Sequence, residues 1–74
     1  MEKPIHKYVF RNVDGIWRDV AGNGDILADV LIRYDLVVDD KAEFIRFKDY
    51  ERGIYMWYRA YNEAKITLTV WRLG

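Results

Sequence analysis

Few side chains in this 74-residue sequence are equipped for chemistry, and those few concentrate near its C-terminal end. Tyr55, Trp57, Arg59 and Tyr61 recur at every second position, and so do Lys65, Thr67, Thr69 and Trp71. On a strand, alternate side chains share one face, so two paired strands would gather four rings, two cations and two hydroxyls on one side. Trp, Tyr and Arg dominate binding hot spots, and an uncovered patch of this kind exceeds what monomers usually leave bare. The chemistry implied is non-covalent docking of a protein partner or of a second copy of the chain, with a homodimer as the expected assembly. The same residues could stack bases on Tyr55, Trp57 and Trp71 while Arg59 and Lys65 meet phosphates. The competing reading is that a second layer of the fold covers the patch.

Covalent and metal chemistry have little to work with. There is no Cys, no Ser and no Gln, and one His, His6. That removes disulfides, thiolate zinc sites, iron–sulfur clusters, a serine triad and any two-His metal centre. Gly22-Asn23-Gly24 lacks the third glycine of a dinucleotide fingerprint, because position 27 is Leu27, and Asp25 sets negative charge where an anion would sit. Asp35, Asp39, Asp40 and Glu43 cluster near a turn without the spacing of a liganding loop, and Asp is ordinary in turns. His6 reads as a surface or edge-strand residue. No catalytic, cofactor-binding or metal-binding residue is assigned, and the chain is expected not to be an enzyme.

The elements that would position the aromatic set follow from periodicity. Ile54–Tyr61 and Lys65–Leu73 alternate strictly. A three-residue loop, Asn62-Glu63-Ala64, pairs Tyr58 with Leu68 and Met56 with Val70. It makes the second face entirely apolar, from Ile54, Met56, Tyr58, Ala60, Ile66, Leu68 and Val70. Upstream, Ile5–Asn12 and Ile16–Ala21 read as a hairpin. A two-residue Asp14-Gly15 turn would set Arg11 opposite Arg18, which like-charge repulsion disfavours, so a three-residue loop pairing Arg11 with Trp17 is expected. That register places Tyr8, Phe10, Ile16 and Val20 together.

Residues 25–38 fit both a strand and a helix period. Helix is preferred because a 14-residue strand would be long, Asp25 suits an N-cap, and Asp29 with Arg33 makes an i,i+4 pair. The helical stripe is Ile26, Leu27, Val30, Leu31, Tyr34, Val37 and Val38. After a turn at Asp39-Asp40, Lys41–Lys48 reads as a strand. The result is an α+β domain of order ββαβββ, one helix on a mainly antiparallel sheet and β-grasp-like in its order. The alternative, with residues 25–38 extended, is an all-β six-strand meander or small barrel.

Composition sets the outer bounds. One domain over residues 1–74 is expected at this length, with residues 1–4 a loose lead-in before Pro4. Twelve Lys and Arg balance twelve Asp and Glu, and apolar residues make up 51%. A balanced charge argues against duplex nucleic acid, and no run approaches a membrane span or a secretion signal. A cytoplasmic setting fits a chain without cysteine. Charge is uneven, however. Residues 54–74 carry three cations against one anion, net +2, and residues 25–40 carry five Asp against one Arg, net −4. The primary expectation is a small, non-catalytic interaction or self-assembly module. Single-stranded nucleic-acid binding on the same face is the alternative.

Overall fold

The computed structural model describes residues 3–39 and 41–74. Along the chain come β1 (His6–Val13), β2 (Ile16–Asp19), α1 (Leu27–Arg33), β3 (Phe44–Asp49), β4 (Ile54–Asn62) and β5 (Lys65–Arg72). The strands form one open sheet in the order β2-β1-β5-β4-β3, and each neighbouring pair is antiparallel. This is a small α+β fold with the expected ββαβββ order. The first and last strands pair antiparallel near the centre of the sheet, so the β-grasp likeness concerns element order along the chain. Residues 27–33 are helical and the sheet is open, so the barrel alternative does not form.

The β4–β5 hairpin adopts the register that its alternation selects, with Met56 opposite Val70 and Tyr58 opposite Leu68. An irregularity between Ala60 and Asn62 lets the chain turn at residues 63–64. Ile54, Met56, Tyr58, Ile66, Leu68 and Val70 are buried, joined by Tyr8 and Phe10 from β1 and by Leu27, Val30 and Leu36. Full burial of an aliphatic side chain contributes about 1.5–3 kcal/mol, so this inner face supplies most of the stability.

The first hairpin differs from the expected register. Asp14-Gly15 is a two-residue turn with both residues at positive φ, 54° and 83°, and Arg11 does sit opposite Arg18. Two left-handed residues give the primed turn whose twist matches the strands, and Asn12 Oδ1 accepts the Gly15 N–H at 2.9 Å. Both arginines are exposed, so solvent screens their repulsion. The slip of one residue exchanges the faces of β2. Trp17 packs against the core, while Ile16 and Val20 are exposed.

The helix also begins and ends differently. Ile26 is its N-cap, extended at φ −99° and ψ 143°, with no side-chain cap. It is held extended by a bridge to Arg18, so Asp25 lies one position too early to cap. The Asp25 carboxylate instead pairs with Arg33 at 3.1 Å, replacing the expected Asp29–Arg33 pair. Arg33 Nη1 also donates to the Tyr8 hydroxyl at 3.4 Å, tying α1 to β1. Burial, and then a hydrogen bond with Tyr8, push the Tyr34 phenol up to about 12. At the C-terminal end, Asp35 takes a left-handed φ of 51°. The Leu36 N–H donates to the Leu31 carbonyl and the Asp35 N–H to the Ile32 carbonyl, which is a Schellman ending. The helix therefore stops before Val37, which is 90% exposed, and Leu36 takes the buried place instead.

Two arginine–carboxylate and loop contacts fix the connections. Arg52 bonds Asp35 at 2.7 Å and Asp49 at 3.5 Å, joining the end of α1 to the β3–β4 turn. Asp19 accepts the backbone N–H groups of Val9, Ala21 and Asn23 at 2.9–3.1 Å. Burial raises the Asp19 carboxyl, and these donors, with the Asn23 side chain, outweigh that and hold it below the usual carboxylate range. β3 begins at Phe44, three residues after the expected start at Lys41. The expected Asp39-Asp40 turn falls partly on Asp40, outside the described residues, as do Met1 and Glu2 of the lead-in.

Candidate functional site

Alternation along five strands gives the sheet a second face. The buried set defines the inner side, and α1 and Leu36 lie against it. No described element packs on the outer side. Tyr55, Trp57, Arg59, Lys65, Thr67, Thr69 and Trp71 occupy it by register on adjacent strands β4 and β5, and Tyr61, unpaired at the β4 irregularity, joins them through its ring contacts with Arg59 and Lys65. The first hairpin continues the same open sheet through β1 and does not fold over the patch.

The rings shelter one another. Trp57 and Trp71 lie 4.8 Å apart, centroid to centroid, at 67°, in an edge-to-face arrangement. Tyr55 approaches Trp57 at 5.9 Å and Trp71 at 6.0 Å. Phe44 from β3 meets Trp57 at 6.2 Å. This mutual contact accounts for the half-buried state of Tyr55, Trp57 and Trp71. It also encloses the Trp57 Nε1–H, which is buried without an acceptor. Such a donor costs about 1–3 kcal/mol, an expense that native structures rarely carry without a reason.

Cations cover the rings. Arg46 lies 4.8 Å from the Trp57 centroid and 5.2 Å from that of Phe44. Lys48 lies 5.8 Å from Tyr55. Tyr61 is held between Arg59 and Lys65, each 4.8 Å away.

Six residues of this face were not evident along the sequence. Pairing with β5 and β4 brings Lys7 and Arg11 from β1 and Phe44, Arg46 and Lys48 from β3 to the outer side. The two-residue turn adds Arg18 from β2. The outward strand positions thus carry seven cations: Lys7, Arg11, Arg18, Arg46, Lys48, Arg59 and Lys65. They carry no carboxylate, although the chain as a whole has twelve. None of the ion pairs among the described residues reaches these cations, since all involve Arg33 or Arg52. The signal in the sequence was the cation at alternate positions of β1 and β3. It is legible only once strand neighbours are known.

The acidic turn residues are used elsewhere. Asp35 pairs with Arg52, and Asp39 accepts the Lys41 N–H at 3.0 Å. Asp40 lies outside the described residues. Among the described residues no three His, Asp or Glu side chains converge as a metal site. The Gly22-Asn23-Gly24 segment is the loop organised by Asp19, and Asn23 Nδ2 donates to the Lys7 carbonyl at 3.3 Å. His6 stacks on Tyr8 at 5.7 Å. Among the described residues no helix is long and apolar enough to cross a membrane. No family model matches the chain, and neither does any curated protein or any solved structure.

Proposed function

We propose that the outer face of the sheet binds single-stranded nucleic acid, with the rings as stacking platforms and the surrounding cations as phosphate contacts. The observation that carries this reading is seven cations and five aromatic rings on one face without a carboxylate. Residues 54–74 alone carry only a net +2, thin for nucleic acid, but that sum covers two of the five strands. A ligand meets a face, and this one has the sign that a polyanion requires.

The energetics are compatible. A base reaching Trp57 must displace Arg46, losing a cation–π contact of about 0.5–1 kcal/mol at an exposed site. Stacking returns about 1–3 kcal/mol per base, and the freed guanidinium can turn to a phosphate. Five strands at about 4.8 Å spacing are wider than the roughly 12 Å major groove of an undistorted duplex, so a single strand is the fitting form. Cytoplasmic function accords with such a ligand.

A protein partner is the second reading, favoured by the edge-to-face packing that joins the rings into one apolar patch. The charge then specifies an acidic partner. Pairing this face with its own copy would oppose two cationic surfaces, so a homodimer would have to form elsewhere.

Titration with oligothymidylate, read by tryptophan fluorescence, tests the proposal. Quenching that weakens steeply with added salt is the expected result. Trp17, on the opposite side of the sheet, provides an unquenched internal reference. An oligonucleotide that leaves the fluorescence unchanged at low salt overturns it.

A further inference from the structure

Strand pairing arranges the seven cations in a particular order. Arg18, Arg11 and Lys65 are cross-strand neighbours on β2, β1 and β5. From Lys65 the series steps to Arg59 on β4, then to Arg46 and Lys48 on β3. The result is a bent band crossing the sheet from one edge to the other. Thr67 and Thr69 lie inside the bend with Trp57, Tyr55 and Trp71, and Lys7 faces Thr69 across it.

The two ends of the band differ. At the β3–β4 end each cation lies over a ring. At the β1–β2 end the outward neighbours of Arg11 and Arg18 are Val9, Val13 and Ile16, which have no ring to stack on.

We infer that a single strand follows this band along one fixed path, its bases stacked at the Trp57 end and only its phosphates held at the Arg11–Arg18 end. The inference rests on the nucleic-acid reading above and adds the path, the footprint and the division of labour. Three strand spacings of about 4.8 Å and two steps of about 6.8 Å along the strands separate Trp57 from Arg18 by about 20 Å. That distance takes about six nucleotides at the stacked rise of about 3.4 Å, and fewer if the strand is stretched. Thr67 and Thr69 place hydroxyls beneath the bases, where they can donate and accept.

Oligothymidylates of two lengths, titrated into the intact chain and its Arg11→Ala/Arg18→Ala variant, test the path. The shorter has about three nucleotides, too few to reach from Trp57 to Arg18 even when stretched, and the longer about twelve, within the site sizes usual for single-strand modules. Work near 0.15 M salt keeps the screening length at about 8 Å, well short of the 20 Å path, so distant arginines act only on strand that reaches them. The short strand is expected to bind both proteins equally. The long strand is expected to bind the variant more weakly, with a salt slope smaller by about 1.4, since each lost phosphate contact removes about 0.7. Its maximal quenching should be unchanged. Equal weakening at both lengths, or none at either, overturns the path. Failure of the unaltered chain to bind either strand instead overturns the underlying nucleic-acid reading. The variant removes a like-charge pair of exposed side chains, and a thermal melt confirms that it folds.

Discussion

Strands β4 and β5 present two chemistries from the same two stretches of chain. Met56, Tyr58, Leu68 and Val70 are at most 5% exposed and pack beneath the sheet. Their immediate neighbours Tyr55, Trp57 and Trp71 lean on each other, on Phe44 and on cations. The inner face holds the fold together. The outer face contributes less to stability and carries a donor without an acceptor and several unpaired charges. Side chains that fold a protein and side chains that bind a ligand are thus separated by a single residue step, and substitutions should sort cleanly by parity.

The largest effect belongs to the inner face. Leu68→Ala should destabilise the fold by about 2–5 kcal/mol, because it opens a cavity at a site with no exposure. A single core in a chain this short supplies about 3–5 kcal/mol in all, so denaturant unfolding should show the variant at the edge of folding. Trp57→Ala comes next and acts on binding. It should weaken oligonucleotide affinity by about 1–3 kcal/mol, roughly five- to 150-fold, while the thermal melt stays cooperative. Loss of cooperative melting in that variant would break the division between the faces.

Asp19→Asn should cost about 1.5 kcal/mol, since a carboxylate accepting several N–H donors is replaced by a neutral amide. The sign of its pH dependence follows from the lowered folded value. An unfolded Asp titrates near 3.9 and the folded Asp19 below that, so its contribution is complete above the unfolded value and is lost as pH falls through the folded one. Melts between about pH 5 and pH 2 should show a steeper acid loss in the unaltered chain than in Asp19→Asn. The smallest effect, about 1 kcal/mol, is expected for Gly15→Ala, which forces a side chain onto a φ of 83°. It also sharpens the comparison. If β2 slips in register, Arg18 leaves the outer face and the salt slope of binding falls with it.

How much was legible in the sequence depended on range. The β4–β5 register could be read because every alternate residue from Ile54 to Val70 agrees with it. The helix could be read from its stripe, but its start could not, since Ile26 is held extended by Arg18 from another element. In the first hairpin the twist of the turn outweighs one like-charge pair, worth about 0.2–1 kcal/mol, so charge pairing alone points to the wrong register. Exposure makes that repulsion smaller still. The aromatic set was visible, whereas Lys7, Arg11, Arg18, Arg46 and Lys48 were not. Charge counted over residues 54–74 sees two strands, while the face is built by five.

The strand order has a consequence for how the chain assembles. The order β2-β1-β5-β4-β3 departs from a run of short turns at two places, one neighbouring pair without a turn and one connection between strands that are not neighbours. One is the pairing of β1 with β5, where the Ile5 N–H already donates to the Val70 carbonyl at 2.9 Å. The other is the stretch from residue 20 to residue 43, which carries α1 from one edge of the sheet to the opposite edge. If the two ends were linked and the chain opened within that crossing, the strands would follow one another as a plain meander. The natural connectivity instead requires its first and last strands to meet before the sheet has a centre. It therefore folds against a long loop closure that the permuted chain would avoid, and the permuted chain should reach the same sheet faster.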